Sequence, residues 1–165
     1  DLPILVAPDG EDASTVASRL GVDPRRVVAI DFTGIEHGIL TLMTPPVNSS
    51  ALAPVAEWLR DAGYQVECIR DSAGFVAQRV LVMIINLACE IAQLGVGSPG
   101  DVDAAMTLGL GYPQGPLAWG DRIGATRVLR TLETLQAITG SDRYRPSLWL
   151  RRRALLGLSL TAAAP

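Results

Sequence analysis

His37 is the only histidine of the chain, and it stands beside Glu36 in the turn TGIEHG between two apparent strands. An imidazole next to a carboxylate is a combination that general base catalysis uses. However, adjacent residues on an extended chain point to opposite sides, so the two side chains cannot easily act on each other. Catalysis by His37 is one interpretation of this turn, and a solvated histidine is the other.

Other catalytic patterns find no support. No serine lies in a GxSxG elbow, and all fourteen basic residues are arginine, which excludes a Schiff-base lysine and a P-loop lysine. Cys68 and Cys89 lie in apolar segments without the spacing of a metal site. They predict reduced, buried thiols in a cytoplasmic protein.

A group of arginines near the C-terminus could bind phosphate. Guanidinium groups suit the phosphates of coenzyme A, whereas a solvated or ion-paired helix face is the alternative interpretation. The net charge of -3 argues against nucleic acid as a partner. The group consists of Arg143, Arg145, Arg151, Arg152 and Arg153.

The first seventy residues alternate short β-branched runs with helical patterns. The order βαββαβ predicts a small, partly parallel α/β sheet. A dinucleotide site would need GxGxxG after the first strand, but ILVAPDGEDAST has one glycine there and acidic residues that repel a pyrophosphate. We therefore expect no NAD on this segment. Strands are predicted at 4–8, 26–32, 39–43 and 64–69, and helices at 11–20 and 49–63.

Strand patterns end near residue 71, which predicts an α/β domain over 1–70 and an all-α domain over 71–165. Helices are predicted at 74–94, 98–111, 117–139 and 147–156, with Ser98 and Pro99 starting the second. The first is so apolar that nearly its whole circumference should be buried. A membrane span is the alternative, although Asn86, Glu90 and Gln93 argue against it.

The segment GYPQGPLAWGDRIG, residues 111 to 124, predicts a stiff corner between two helices. Pro116 suits the first position of the following helix, and Gly115 allows close approach of the backbone. Such a corner could hold Tyr112, Leu117 and Trp119 against the long apolar helix or a second subunit.

Several ordered motifs now form a pattern: Asp71, AGFVAQR, GVGSPGDVD and GYPQGP. In this order they resemble the C-terminal domain of the 3-hydroxyacyl-CoA dehydrogenases. The resemblance implies a truncated Rossmann-like half without its glycine fingerprint, followed by the family's helical domain, which is of the 6-phosphogluconate-dehydrogenase type. YPQGPLAWG, RVLRTLETLQ and RYRP are similar to the C-terminal extension of bacterial members that act on 3-hydroxyadipyl-CoA in phenylacetate degradation.

The family's catalytic pattern is not kept. Its histidine position matches Asp31, its glutamate falls at Thr41 or Met43, and its asparagine corresponds to Gln78. An unperturbed aspartate is too acidic to be the base of this oxidation. We therefore expect no catalytic residue here, and the resemblance implies substrate contacts at Gln78, Gly115 and Pro116.

These observations predict the C-terminal region of a longer, cytoplasmic NAD-dependent dehydrogenase whose catalytic copy lies upstream. The absence of an initial Met is in keeping with a fragment. The expected partners are the upstream domain of the same chain, an acyl-CoA substrate and a second copy in a homodimer, and NAD is expected only in the parent enzyme. The alternatives are a structural dimerisation module without a ligand, and an independent acyl-CoA enzyme that uses His37 or Asp31.

Overall fold

The computed structural model describes residues 2–163. Internal contacts divide the chain into two compact units, the first reaching to Arg79 and the second starting at Val80. The first unit contains the sheet, and the second is helical. Each unit is described by itself below.

The first unit is a four-stranded mixed sheet in the order β1-β2-β3-β4. The outer pairs β1/β2 and β3/β4 are parallel, and the central pair β2/β3 is antiparallel. The predicted order βαββαβ and the partly parallel sheet are confirmed. The strands are β1 (Ile4–Val6), β2 (Val27–Asp31), β3 (Ile39–Met43) and β4 (Gln65–Cys68), and the helices are α1 (Ala13–Leu20) and α2 (Leu52–Asp61).

Alternation along the strands produces a separate core on each face of this sheet. On one face, Val28, Ile30, Leu40, Leu42 and Val66 pack with Val55, Ala56 and Leu59 of α2. On the other, Val27, Ala29 and Met43 pack with Ala13 and Ala17 of α1 and with Phe75.

The second unit contains most of α3 (Ala77–Gln93), followed by α4 (Pro99–Leu110), α5 (Pro116–Ile123), α6 (Ala125–Thr139) and α7 (Leu148–Leu156). The predicted start of α4 is confirmed, because Ser98 and Asp101 form a capping box and Pro99 is the first helical residue. The single helix predicted over 117–139 is wrong. Gly124, with a φ of 100° and a ψ of 118°, ends α5 and starts α6.

The surface of α3 corrects another prediction. Val82, Ile85 and Cys89 are buried, but Val80 and Leu87 are 50% and 59% exposed. The expectation that nearly the whole circumference is buried is therefore wrong. Among the helices of residues 2–163, none has the length and apolarity to cross a membrane.

Candidate functional site

Asp31 and Thr41 are register partners across the antiparallel pair β2/β3. Register partners point to the same face of a sheet, so these two positions are side by side. Met43 instead pairs with Ala29, two residues further from Asp31. Of the two positions considered for the family's glutamate, Thr41 is the one that stands opposite Asp31.

The carboxylate of Asp31 is held by its own loop. Asp31 is buried, and its Oδ1 accepts hydrogen bonds from the backbone N–H of Thr33 at 3.0 Å and from the Thr33 hydroxyl at 2.6 Å. This is an Asx turn, a local structural use of aspartate. With Thr41 as its neighbour, the pair offers neither an imidazole nor a second carboxylate for proton transfer.

His37 lies in a short 3₁₀ helix, Ile35–His37, and is exposed. This corrects the extended geometry that we assumed for Glu36 and His37. Within the described part of the chain, no three histidine, cysteine or acidic side chains cluster in a way that could hold a metal ion.

Two carboxylates of the chain itself cap the N-terminus of α1. Asp12 is the N-cap and accepts from the backbone N–H of Thr15 at 2.7 Å. Asp71, distant in sequence, accepts from the N–H groups of Ala13 at 2.7 Å and Ser14 at 3.0 Å, and from the Ser14 hydroxyl. Asp71 is the acidic residue that precedes AGFVAQR in the family pattern. Its position in the sequence did not predict this cap.

These caps decide whether this loop fits a dinucleotide. In dinucleotide-binding folds, the free N–H groups at the first helix N-terminus hold the pyrophosphate. Here the N–H groups of Ala13, Ser14 and Thr15 already bond to Asp71 and Asp12, and these negative charges repel a phosphate. The loop between β1 and α1 therefore does not fit the pyrophosphate of NAD.

Gln78 bonds the start of α3 to the same loop. Its Oε1 accepts from the backbone N–H of Gly10 at 2.8 Å, and its Nε2 donates to the carbonyl of Pro8 at 3.2 Å. The side chain is buried, so both ends of its amide are satisfied by backbone. Just before it, Gly74 and Phe75 both have positive φ, at 66° and 50°. Phe75 is fully buried despite this strained backbone.

Asp103 explains the corner between α4 and α5. Its two carboxylate oxygens accept from the backbone N–H groups of Leu117 at 2.8 Å and Ala118 at 2.9 Å. Gly115 is the N-cap of α5 and Pro116 its first residue. Gly115 and Pro116 thus shape a helix start, and the residue that sequence analysis missed is Asp103, the second aspartate of the motif GDVD.

The predicted arginine group does not act as one patch. Arg151 pairs with Glu133 at 2.6 Å, and the guanidinium carbon of Arg153 lies 3.1 Å from the ring centre of Trp149. Burial lowers the pKa of Arg153, against the opposing influence of Cys89 and Asp121. Arg143 and Arg145 instead line a groove of about 410 Å³ beside α3.

The helical part of the chain matches a known family. The model of the 3-hydroxyacyl-CoA dehydrogenase C-terminal domain matches residues 74–162. The chain belongs to the 3-hydroxyacyl-CoA dehydrogenase family.

Individual members of the dehydrogenase family show the same relationship. The 3-hydroxyadipyl-CoA dehydrogenase of Escherichia coli K12 is 43% identical over 93% of this chain, which covers 31% of that protein. A 3-hydroxybutyryl-CoA dehydrogenase of Clostridioides difficile is 42% identical over 46% of the chain and 27% of its own length. The chain thus spans about a third of these relatives.

Solved structures agree with this assignment. A crystal structure of 3-hydroxybutyryl-CoA dehydrogenase from E. coli K12 superposes with a TM-score of 0.83 at 41% identity, over 94% of this chain and 32% of that one. A (S)-3-hydroxybutyryl-CoA dehydrogenase from Ralstonia eutropha gives 0.85 over 99% of this chain and 61% of that one. Because the Ralstonia enzyme is 24% identical to this chain, its structure shows the shared fold alone. The mixed sheet with its helices is therefore that of a 3-hydroxyacyl-CoA dehydrogenase.

Proposed function

We propose that the chain is the C-terminal region of a longer NAD-dependent 3-hydroxyacyl-CoA dehydrogenase whose catalytic copy lies upstream. In this proposal it is a degenerate second copy of the module, a truncated Rossmann-like half followed by the helical domain. Its role is to complete the acyl-CoA cleft and the subunit interface. When bound upstream, NAD would accept the hydride of the substrate alcohol.

The observation that carries this proposal is the register pair Asp31 and Thr41. By the resemblance, Asp31 corresponds to the catalytic histidine and Thr41 is one of the two positions, with Met43, for the glutamate, yet Asp31 and Thr41 supply a loop-bound carboxylate and a hydroxyl. The family's oxidation needs a base of near-neutral pKa at the reacting alcohol. The chain has no such base at this pair, which supports a catalytic copy elsewhere.

The first experiment tests catalysis in the full-length protein. Asp31→Asn should keep kcat/KM within about twofold of wild type, because Asp31 serves only the turn to Thr33. A loss of about 100-fold with an intact circular dichroism spectrum would place catalysis at Asp31 and refute the proposal.

The second experiment tests the cleft by calorimetric titration of this chain. We expect binding of 3-hydroxybutyryl-CoA and no binding of NAD, since the α1 terminus is filled by Asp12 and Asp71. Tight NAD binding would contradict the self-capped loop. The substrate contacts expected at Gln78, Gly115 and Pro116 stay a prediction, which alanine variants of Gln78 and Pro116 would test in the same titration.

A purely structural dimerisation module is the second candidate function. It is favoured by the apolar side chains that α3 leaves exposed, such as Val80 and Leu87. If the chain formed a stable dimer and the titration detected no binding of acyl-CoA, the structural module would be favoured over a role in the acyl-CoA cleft.

A further inference from the structure

The outward side of α7 consists of leucine and arginine. The other side of this helix is buried, with Trp149 and Leu150 in the core of the second unit. On the outward side, Leu155 and Leu156 are 73% and 70% exposed. Residues at spacings of three, four and seven share one side of a helix. We call the five exposed residues at these spacings the α7 outer face: Leu148, Arg151, Arg152, Leu155 and Leu156.

The α7 outer face differs from the exposed leucines of α4 in arrangement and in charge. Leu108 and Leu110 of α4 are two residues apart, so they lie on different sides of their helix. The first turns of α4 carry Asp101 and Asp103, and the helix has no basic residue. On α7, leucine and arginine share one side of a helix that contains no acidic residue. This combination suits a partner that is both apolar and anionic.

Positive charge is concentrated at this end of the chain. The residues from Arg143 to the C-terminus include five arginines and neither aspartate nor glutamate. The preceding residues include nine arginines and all seventeen acidic residues. Charges are screened beyond about 8 Å at physiological ionic strength. A cationic surface at α7 can therefore bind an anionic one although the net charge of the chain is -3.

A further arginine extends this cationic surface onto α6. Two residues of α6 contact α7, because the Thr126 hydroxyl donates to the carbonyl of Ala154 and Glu133 pairs with Arg151 at 2.6 Å. Arg130 lies between Thr126 and Glu133 at helical spacing, so it is on the same side of α6. Arg130 is exposed, and the charge of Glu133 is balanced by its pair. The surface therefore keeps a net positive charge.

We infer that the α7 outer face docks on the surface of an anionic phospholipid membrane. Charge complementarity identifies this occupant: leucines enter the boundary of the acyl chains, while the arginine stems keep their guanidinium groups at the lipid phosphates. A bilayer accepts leucines at any lateral position, so it fits the convex surface of a single helix. The binding is peripheral, because α7 has nine residues and its other side belongs to the core.

Sedimentation of this chain with lipid vesicles tests the docking. Vesicles of phosphatidylcholine and phosphatidylglycerol at about 3:1 should bind at least about tenfold more tightly than pure phosphatidylcholine, since each arginine near an anionic surface contributes about fivefold. Raising the salt concentration from about 0.05 M to about 0.5 M should weaken this binding at least about tenfold, because the Debye length shortens. Equal binding to both kinds of vesicle, or no binding to either, would overturn the inference.

Two pairs of variants locate the contact. Leu155→Gln should weaken binding to the anionic vesicles about tenfold, whereas Leu108→Gln, the same change at an exposed leucine of α4, should have no effect. Arg152→Glu should weaken it about 25-fold or more. Arg70→Glu changes the net charge equally at an exposed arginine of the first unit, and should have little effect. With all four variants folded by circular dichroism, a variant that matched its control would refute the assigned contact.

A dye that is sensitive to polarity gives a readout of insertion. It can be attached to Leu155→Cys or to Leu108→Cys in a Cys68→Ser background, which removes the exposed native thiol. With anionic vesicles, the emission of the dye at position 155 should shift to shorter wavelength, and that of the dye at position 108 should not. A shift at position 108 alone, or at neither position, would contradict the docking.

Sedimentation of the full-length protein separates a membrane from a contact within the protein. Binding of the full-length protein to the anionic vesicles would support the inference. If only the isolated chain bound them, another part of the full-length protein would cover the α7 outer face, and the inference would be wrong. These readouts use neither acyl-CoA nor catalysis, so their failure would leave the proposed function unaffected.

Discussion

The carboxylate of Asp103 occupies the space in which a side chain at Gly115 would lie. An added Cβ on Gly115 would come within 2.2 Å of the Asp103 Cγ. The glycine therefore allows the carboxylate to reach the start of α5, where it accepts from the N–H groups of Leu117 and Ala118. Pro116 has no N–H group, so the cap serves the next two residues.

Gly115→Ala should lower the free energy of unfolding by about 1–3 kcal/mol, because the methyl group displaces Asp103 and disrupts the cap. Urea denaturation monitored by circular dichroism would measure this change in the free energy of unfolding. Gly109→Ala is the control: it lies in α4 with open space around it, and should stabilise by about 0.5–1 kcal/mol. Equal stabilities for the two variants would contradict the role of Asp103.

Asp71→Asn should destabilise the first unit by about 1–3 kcal/mol, since the amide NH₂ cannot accept from the N–H groups at the α1 terminus. Asp61→Asn, an exposed change at the end of α2, should have little effect. Thermal unfolding of both variants provides the comparison. If the two variants unfolded at the same temperature, the cap by Asp71 would contribute nothing to stability.

The two cysteines should differ in reactivity. Cys68 is exposed and Cys89 is buried, which raises the pKa of Cys89 to about 12 against the lowering effect of a hydrogen bond with Ser147. Because the thiolate is the reactive form, Ellman's reagent should titrate one thiol in the native protein and two in denaturant. Cys68→Ser should abolish the native reaction, and a persisting native signal from that variant would show that Cys89 is accessible.

Acid should weaken the second unit through Asp121. Burial acts to raise the pKa of Asp121, but hydrogen bonds from Ser159, Leu160 and Thr161 outweigh it and hold the pKa below its usual value. A carboxyl with a lowered folded pKa stabilises above its unfolded pKa of about 4, and this stability is lost as the pH falls through the folded pKa.

Comparison of urea unfolding at pH 7 and pH 3 tests this expectation. Asp121→Asn should lose less stability over this range than the wild type, because it has no carboxyl to protonate at that position. Glu57→Gln, an exposed change on α2, should follow the wild type. If Asp121→Asn lost as much stability as the wild type between pH 7 and pH 3, the hydrogen bonds to Asp121 would not contribute to the pH dependence of folding.

Local signals in the sequence predicted much of this structure. β-branched runs, glycine at helix ends and the Ser98–Pro99 start of α4 act over a few residues, and the structure has each of them. The break at Gly124 was missed because Ala125, Val128 and Leu132 continue the helical spacing, and only the backbone angles of Gly124 interrupt it.

Features that depend on distant residues could not be predicted. The caps by Asp71 and Asp103 join segments 58 and 14 residues apart, so their spacing does not reveal them. The expectation of two buried thiols was wrong for Cys68, which ends the edge strand β4, where only Val66 is buried. The apolar composition of α3 likewise indicates that other residues pack against its surface. It does not show whether those residues belong to the same chain.

Residues just before α3 and in its first turn contact the sheet unit, and this determines where the chain can be cut for expression. A seventy-residue product would contain all four strands, but it would lack Asp71, Phe75 and Gln78. The α1 terminus would lose a cap, and the site of the buried Phe75 ring would stand open, at a cost of about 3–5 kcal/mol for a phenylalanine core cavity. Extension to Arg79 restores all three residues, so a soluble sheet fragment should end there.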